Sequence, residues 1–145
     1  MSEAIFVQGL TKSYDGKTVV DHSDLSVPRG TVFGLLGANG AGKSTTIECI
    51  LGTKRPEEGT VRLLGLDPLK HRPRLFQEIG VQFQEGDHPK EIKVSEICEE
   101  TVSLYRSPGD WRRLCEQFGI GEKRNDFVKN LSGGERQRIS IARAF

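Results

Sequence analysis

One run of the chain has the residue types and the spacing to hold phosphate. Gly37-Ala38-Asn39-Gly40-Ala41-Gly42-Lys43-Ser44-Thr45 reads G-x-x-x-x-G-K-[S/T]. Its glycines let the backbone curl until successive N–H groups point inward, an arrangement that an anion satisfies. Lys43 brings an ammonium with reach to β- and γ-phosphates, and the Ser44 hydroxyl suits Mg2+. A helix starting here adds the positive end of its dipole. The flanks agree with that reading. Thr31-Val32-Phe33-Gly34-Leu35-Leu36 predicts a buried strand entering the loop. Ser44 to Leu51 predicts a helix leaving it, with Ile47, Ile50 and Leu51 at helical spacing and Gly52 as its stop. The chemistry implied is nucleotide binding.

A second helix start carries related logic. Asn130-Leu131-Ser132-Gly133-Gly134-Glu135-Arg136-Gln137-Arg138 precedes Ile139-Ser140-Ile141-Ala142-Arg143-Ala144, and Ser132-x-x-Glu135 is a capping box. A helix is therefore predicted from Gly133, and two glycines leave its first N–H groups uncovered for an anion. From the residues alone, a well-capped helix with no ligand fits equally. Gln84 follows Ile79-Gly80-Val81-Gln82-Phe83, a predicted short strand, at the kind of strand end where α/β proteins place chemistry. It reads equally as a solvated loop residue. Tyr14, in the hairpin signal Tyr14-Asp15-Gly16, reads as an exposed turn residue.

The elements that must position these groups follow from periodicity and punctuation. Ile5–Leu10 and Thr18–Val20 predict two strands around that hairpin, and Leu25–Val27 continues the antiparallel layer. Pro28-Arg29-Gly30 turns the chain toward the phosphate loop. Thr60–Leu63 predicts a further strand, and Arg72–Glu78 a short helix with Pro73 in its first turn. From Glu85 the pattern becomes helical. Ile97, Cys98, Thr101, Val102 and Tyr105 share one face of a predicted helix from Val94 to Tyr105. Asp110 caps another, with Trp111, Leu114, Cys115 and Phe118 inward. The expected organisation is a core over 1–84, a helical subdomain over 85–130, and the second motif with its helix over 131–145.

Composition narrows the class. The 145 residues are 28% charged with a net charge of +1, which gives no electrostatic case for nucleic acid. Cys49, Cys98 and Cys115 are widely separated and odd in number, so they predict packed thiols in a reducing compartment, with no disulfide framework or zinc site. His22, His71 and His88 stand apart and predict no metal site. Glu3 stands where a signal peptide needs positive charge, and no run approaches the ~20 apolar residues of a membrane span.

Taken together, the phosphate loop and LSGGERQR resemble the two motifs of ABC-family ATPases, in their order and at the spacing of transporter subunits. The resemblance runs from Tyr14 to Ala144. It implies an α/β fold, a P-loop ATPase core with an N-terminal antiparallel β layer and an α-helical insert subdomain. It implies ATP and Mg2+ as cofactors, with Lys43 and Gln84 in the catalytic set and Ser44 and Gln84 as metal ligands. By the same likeness Tyr14 stacks on adenine, and Ser132, Gly133 and Gly134 touch the γ-phosphate of ATP held by an opposite subunit. A homo- or heterodimer would then sandwich two ATP molecules head to tail. The helical insert would dock on a transmembrane transporter subunit, placing the chain at the cytoplasmic face of a membrane as a peripheral subunit. The segments 52–56 and 65–68 look most like bacterial drug-type or lipid-type exporters.

The departures lie at the end of the pattern. In the family a strand bearing the Walker B aspartate and the catalytic glutamate follows the signature helix, and then a switch histidine. The sequence stops at Phe145 and contains no Asp-Glu pair after an apolar run. It resembles the first two-thirds of such a subunit, incomplete at its C-terminus, with turnover expected near background and a sheet edge expected to be open beside the phosphate loop. Two alternatives are a soluble ABC-type ATPase of DNA or ribosome metabolism and a non-catalytic nucleotide-binding module.

Overall fold

Apolar residues on one face of two long strands build the first part of the chain. In the computed structural model, which describes residues 3–82 and 91–145, β1 (Glu3–Tyr14) and β2 (Lys17–Pro28) form an antiparallel hairpin. The chain divides into two compact units, Met1–Leu75 and Phe76–Phe145. The hairpin turn is the expected one: Asp15 and Gly16 both have positive φ, 49° and 75°, the geometry that matches strand twist. β3 (Glu58–Leu63) pairs with the other edge of β1, giving the order β2-β1-β3.

Both hairpin strands run farther than their apolar cores because paired bulges keep them in register. Between Val7 and Leu10, β1 advances three residues while β2 advances two, from Leu25 to Ser23. The extra residue lets Val7 and Leu10, three apart in sequence, both be buried. Gly9 sits at the bulge with φ 60°, and the Asp24 carboxylate accepts its N–H at 2.6 Å. Between Leu10 and Lys12 the surplus moves to β2, where His22 has φ 41° and donates its N–H to the Thr11 hydroxyl. Gly59 approaches β1 so closely that a Cβ would lie 2.5 Å from the Gly9 carbonyl oxygen.

Helix α1 (Lys43–Ile50) buries Thr46, Cys49 and Ile50 and touches all three strands. Eight residues are too few for an isolated helix, so this packing sustains it. It ends where glycine was expected to end it. Gly52, with φ 67°, donates to the Cys49 carbonyl at 3.1 Å and Thr53 to the Glu48 carbonyl at 3.0 Å, a Schellman turn. Ile47 departs from the expected inward face and is exposed. Helix α2 (Arg72–Leu75) is shorter than predicted and buries Leu75.

Two predicted strands are not found among the described residues. Residues 31–36 carry no strand pairing, and Val32 and Leu36 are 105% and 92% exposed. A strand is a property of a pair, and among the described residues no strand pairs with this run; the Thr31 hydroxyl instead donates to the Pro28 carbonyl at 2.8 Å. Residues 79–82 are likewise outside any strand, and Phe83 lies outside the described residues.

The second unit is helical, as its periodicity predicts. Helices α3 (Val94–Ser103), α4 (Trp111–Gln117) and α5 (Gly133–Arg143) enclose one core of Val94, Ile97, Cys98, Trp111, Cys115, Ile120, Val128, Leu131 and Ile139. The Asp110 carboxylate caps α4 by accepting from the N–H groups of Arg112 and Arg113 at 3.0 and 3.4 Å. All three cysteines are free and buried. Burial, followed by the neighbouring Cys115, pushes the Cys98 thiol up to about 12. These thiols behave as small apolar residues. Gly80 passes so near the end of α5 that a Cβ there would overlap the Ala144 carbonyl oxygen.

Candidate functional site

The loop from Gly37 to Thr45 is built by its glycines. Gly40 and Gly42 have φ of 83° and 80°, where an L side chain is strained. At Gly42 a Cβ would also meet the Val19 carbonyl oxygen at 2.5 Å and the Val20 side chain at 3.0 Å. The hairpin backbone therefore presses directly on the residue that caps α1. The Gly42 carbonyl accepts from both the N–H and the hydroxyl of Thr46, at 2.8 and 2.9 Å, which locks the first helical turn. Lys43 arches back over the loop, and its ammonium donates to the carbonyls of Gly37 and Ala38, both at 2.8 Å. That contact places a cation at the mouth of the curl.

The donor set fits a polyphosphate. Helix geometry leaves the first-turn N–H groups of Lys43, Ser44 and Thr45 without intrahelical partners. Among the described residues the loop's own backbone bonds are Ala41 N–H to Ala38 and Thr46 N–H to Gly42. Asn39, Gly40 and Ala41 are exposed, and a Cβ on Gly40 would meet nothing within 4 Å. Ser44 is exposed and its hydroxyl carries no hydrogen bond among the described residues, so it is available to a hard cation. No group of three or more His, Cys, Asp or Glu able to hold a metal occurs among the described residues.

Tyr14 is not an exposed turn residue. It is the last residue of β1, half-buried, with its hydroxyl buried and unpartnered among the described residues. Lys12, two residues earlier and therefore on the same face, is the register partner of Val20, the residue that packs on Gly42. Tyr14 thus lies on the face of the sheet that carries the phosphate loop. Ammonium groups stand over its ring, Lys54 at 4.9 Å and Lys12 at 5.3 Å from the centroid. Nothing in the spacing of Lys54 announces this contact, because the α1 end turn and a strand of different register bring the two together.

In the second unit Ser132 caps α5 as expected. Its hydroxyl accepts the Glu135 N–H at 3.2 Å, and the Glu135 carboxylate accepts the Ser132 N–H at 2.7 Å. Those bonds hold the Glu135 carboxyl below the usual carboxylate range, the backbone N–H contributing most. Ser132, Gly133 and Gly134 are exposed, and Cβ atoms on the two glycines would meet open space. The first turn of α5 is therefore bare backbone. Gln84 lies outside the described residues. The segment leading to it is strapped to the end of α3: Gln77 donates to the Leu104 carbonyl and accepts from the Arg106 N–H, at 2.9 and 2.8 Å.

A family model described as ABC transporter matches residues 20–145. The daunorubicin/doxorubicin resistance ATP-binding protein of Streptomyces peucetius is 38% identical over 97% of this chain and 44% of its own length. The Nod factor export ATP-binding protein I of Ralstonia nicotianae is 38% identical over 95% of this chain and 44% of its own length. A solved structure of an ATP binding subunit of an ABC transporter superposes with a TM-score of 0.86. It is 23% identical, over 97% of this chain and 61% of that chain, a likeness of fold. The chain spans less than half the length of the two relatives named here.

Proposed function

The chain belongs to the ABC transporter family, and from that membership we propose that it is the nucleotide-holding part of an energy-coupling, ATP-binding subunit of a membrane transporter. The observation that carries the reading is the phosphate loop at the head of α1, where the Lys43 ammonium and the bare first-turn N–H groups converge. The N–H groups bind phosphate oxygens, and Lys43 moves from the loop carbonyls onto the β- and γ-phosphates. Ser44 is the metal ligand on this side and Gln84 the second. Mg2+, when bound, neutralises charge on the β- and γ-oxygens.

Tyr14 presents its π-face to the adenine ring. Ser132, Gly133 and Gly134 use the bare turn of α5 to hold the γ-phosphate of ATP bound by a second subunit, like or unlike, in a head-to-tail dimer. The helical region over 85–130 docks on a transmembrane subunit. Such docking makes the chain a peripheral subunit on the cytoplasmic face; among the described residues no helix is long and apolar enough to cross a membrane. Hydrolysis that drives transport belongs to the longer subunit, and the export reading follows the name of the Nod factor relative.

Titration calorimetry with ATP tests the core of this reading. Charged hydrogen bonds contribute about 1.5–3 kcal/mol, so Lys43→Ala is expected to weaken binding about ten- to hundredfold. A folded Lys43→Ala chain with unchanged affinity would show that the loop is not the site.

A further inference from the structure

We propose that Lys54 is a positioning residue for base recognition, holding the Tyr14 ring and tying that platform to the C-terminal end of the helix that begins at the phosphate loop. The inference rests on the nucleotide reading above and names the part of the chain that sets its base end.

Lys54 is held where it is by the way α1 ends. The Glu48 carbonyl accepts three groups from the turn: the N–H and hydroxyl of Thr53 at 3.0 and 2.9 Å, and the N–H of Lys54 at 3.1 Å. The turn is itself wedged in place, since a Cβ on Gly52 would lie 2.6 Å from the Pro68 carbonyl oxygen. The Lys54 backbone is therefore an extension of α1. Its side chain is held from the same helix, the Glu48 carboxylate lying 3.4 Å from the ammonium. From that anchor the ammonium reaches the Tyr14 ring at 4.9 Å.

The strand end is strapped to the same segment. Glu57 donates its N–H to the Thr11 carbonyl at 2.9 Å, and its carboxylate accepts the Ser13 N–H at 3.2 Å and pairs with Lys12 at 3.6 Å. Tyr14 makes no hydrogen bond through its buried hydroxyl among the described residues. What orients the ring is packing and the cations on it. The Lys54 ammonium meets Tyr14 at the ring, 4.9 Å from its centroid. A purine stacked on Tyr14 would be placed by a ring fixed to α1, and phosphates by the loop at the other end of α1, so one helix sets the span between the two halves of the ligand.

The test compares Mg·ATP with inorganic tripolyphosphate, which offers phosphates and no base, by calorimetry on the whole chain. Lys54→Met is expected to weaken ATP about two- to fivefold, the scale of an exposed cation–π contact, and to leave tripolyphosphate unchanged. Lys54→Arg keeps a cation over the ring and is expected to restore most of the ATP affinity. In a Tyr14→Ala background, Lys54→Met should cost nothing further. Equal losses for both ligands would mean that Lys54 only supports the fold. No loss for ATP, or an undiminished loss without Tyr14, would overturn the proposal. Wild-type chain that binds neither ligand in a Lys43-dependent way would overturn the nucleotide reading as well.

Discussion

At Gly42 two separate constraints fall on one residue, a left-handed backbone and a wall formed by the Val19 carbonyl. Gly40 has the first constraint without the second, since a Cβ there meets open space. The left-handed conformation costs an L residue roughly 1–2 kcal/mol, and Gly42→Ala must add a displacement of the hairpin backbone. Gly42→Ala is therefore expected to lower stability about 1–3 kcal/mol, and Gly40→Ala to lower it less. Both losses are read from urea unfolding followed by circular dichroism. Equal losses would mean that the approach of Val19 does not constrain the loop. Nucleotide affinity should fall with Gly42→Ala, because the carbonyl that locks Thr46 moves with the loop.

Among the elements, α5 shows what a cap does. The Ser132–Glu135 pair satisfies two backbone donors that the helix cannot satisfy itself, for about 1 kcal/mol. It also leaves Gly133 and Gly134 exposed. Since Glu135 is held below its ordinary 4.5 by the Ser132 N–H and then the hydroxyl, its contribution is fully present above that value. It is lost as pH falls through the lower, folded value. The protection factor of the Ser132 amide, its rate relative to free peptide at the same pH, should hold through the ordinary glutamate range and fall only below it. Glu135→Ala should leave that amide unprotected at every pH. A Glu135 carboxyl signal titrating at or above 4.5 in a proton-detected pH series would contradict this account. The β1–β2 hairpin makes the complementary point. Its reach depends on four register shifts that offset one another, and the middle two, one in each strand, return Leu10 and Val20 to the buried face.

For the whole molecule, each of the two units is organised around its own apolar residues, Val7, Leu10, Val61 and Cys49 in one and the α3–α4–α5 cluster in the other. The 145 residues contain no Asp-Glu pair after an apolar run. A general base is worth 10²–10⁴-fold, by the usual range for proton transfer in a transition state. This chain alone is expected to release phosphate from Mg·ATP near background, with no difference between wild type and Lys43→Ala. Lys43-dependent turnover approaching the ~10 s⁻¹ of a typical enzyme would mean that another carboxylate in these residues serves as the base.

What could be read directly from the sequence was chemistry carried by near neighbours in the chain. The phosphate loop, the Asp15-Gly16 turn, the Gly52 stop, the Asp110 cap and the Ser132–Glu135 box each involve residues within a few positions of one another, and each is found where the spacing puts it. The faces of α3 and α4 were legible for the same reason, since a helix repeats on itself. Residues 31–36 were not legible, because an apolar β-branched run becomes a strand only where another strand pairs with it, and among the described residues none does. Ile47 fits the helical repeat yet faces out, since the repeat names a stripe and only the packed sheet decides its width. The same holds for Tyr14 and Lys54. Their types and positions were in view, but only the bulged register of β1 and the Schellman turn of α1 set a ring and an ammonium 4.9 Å apart.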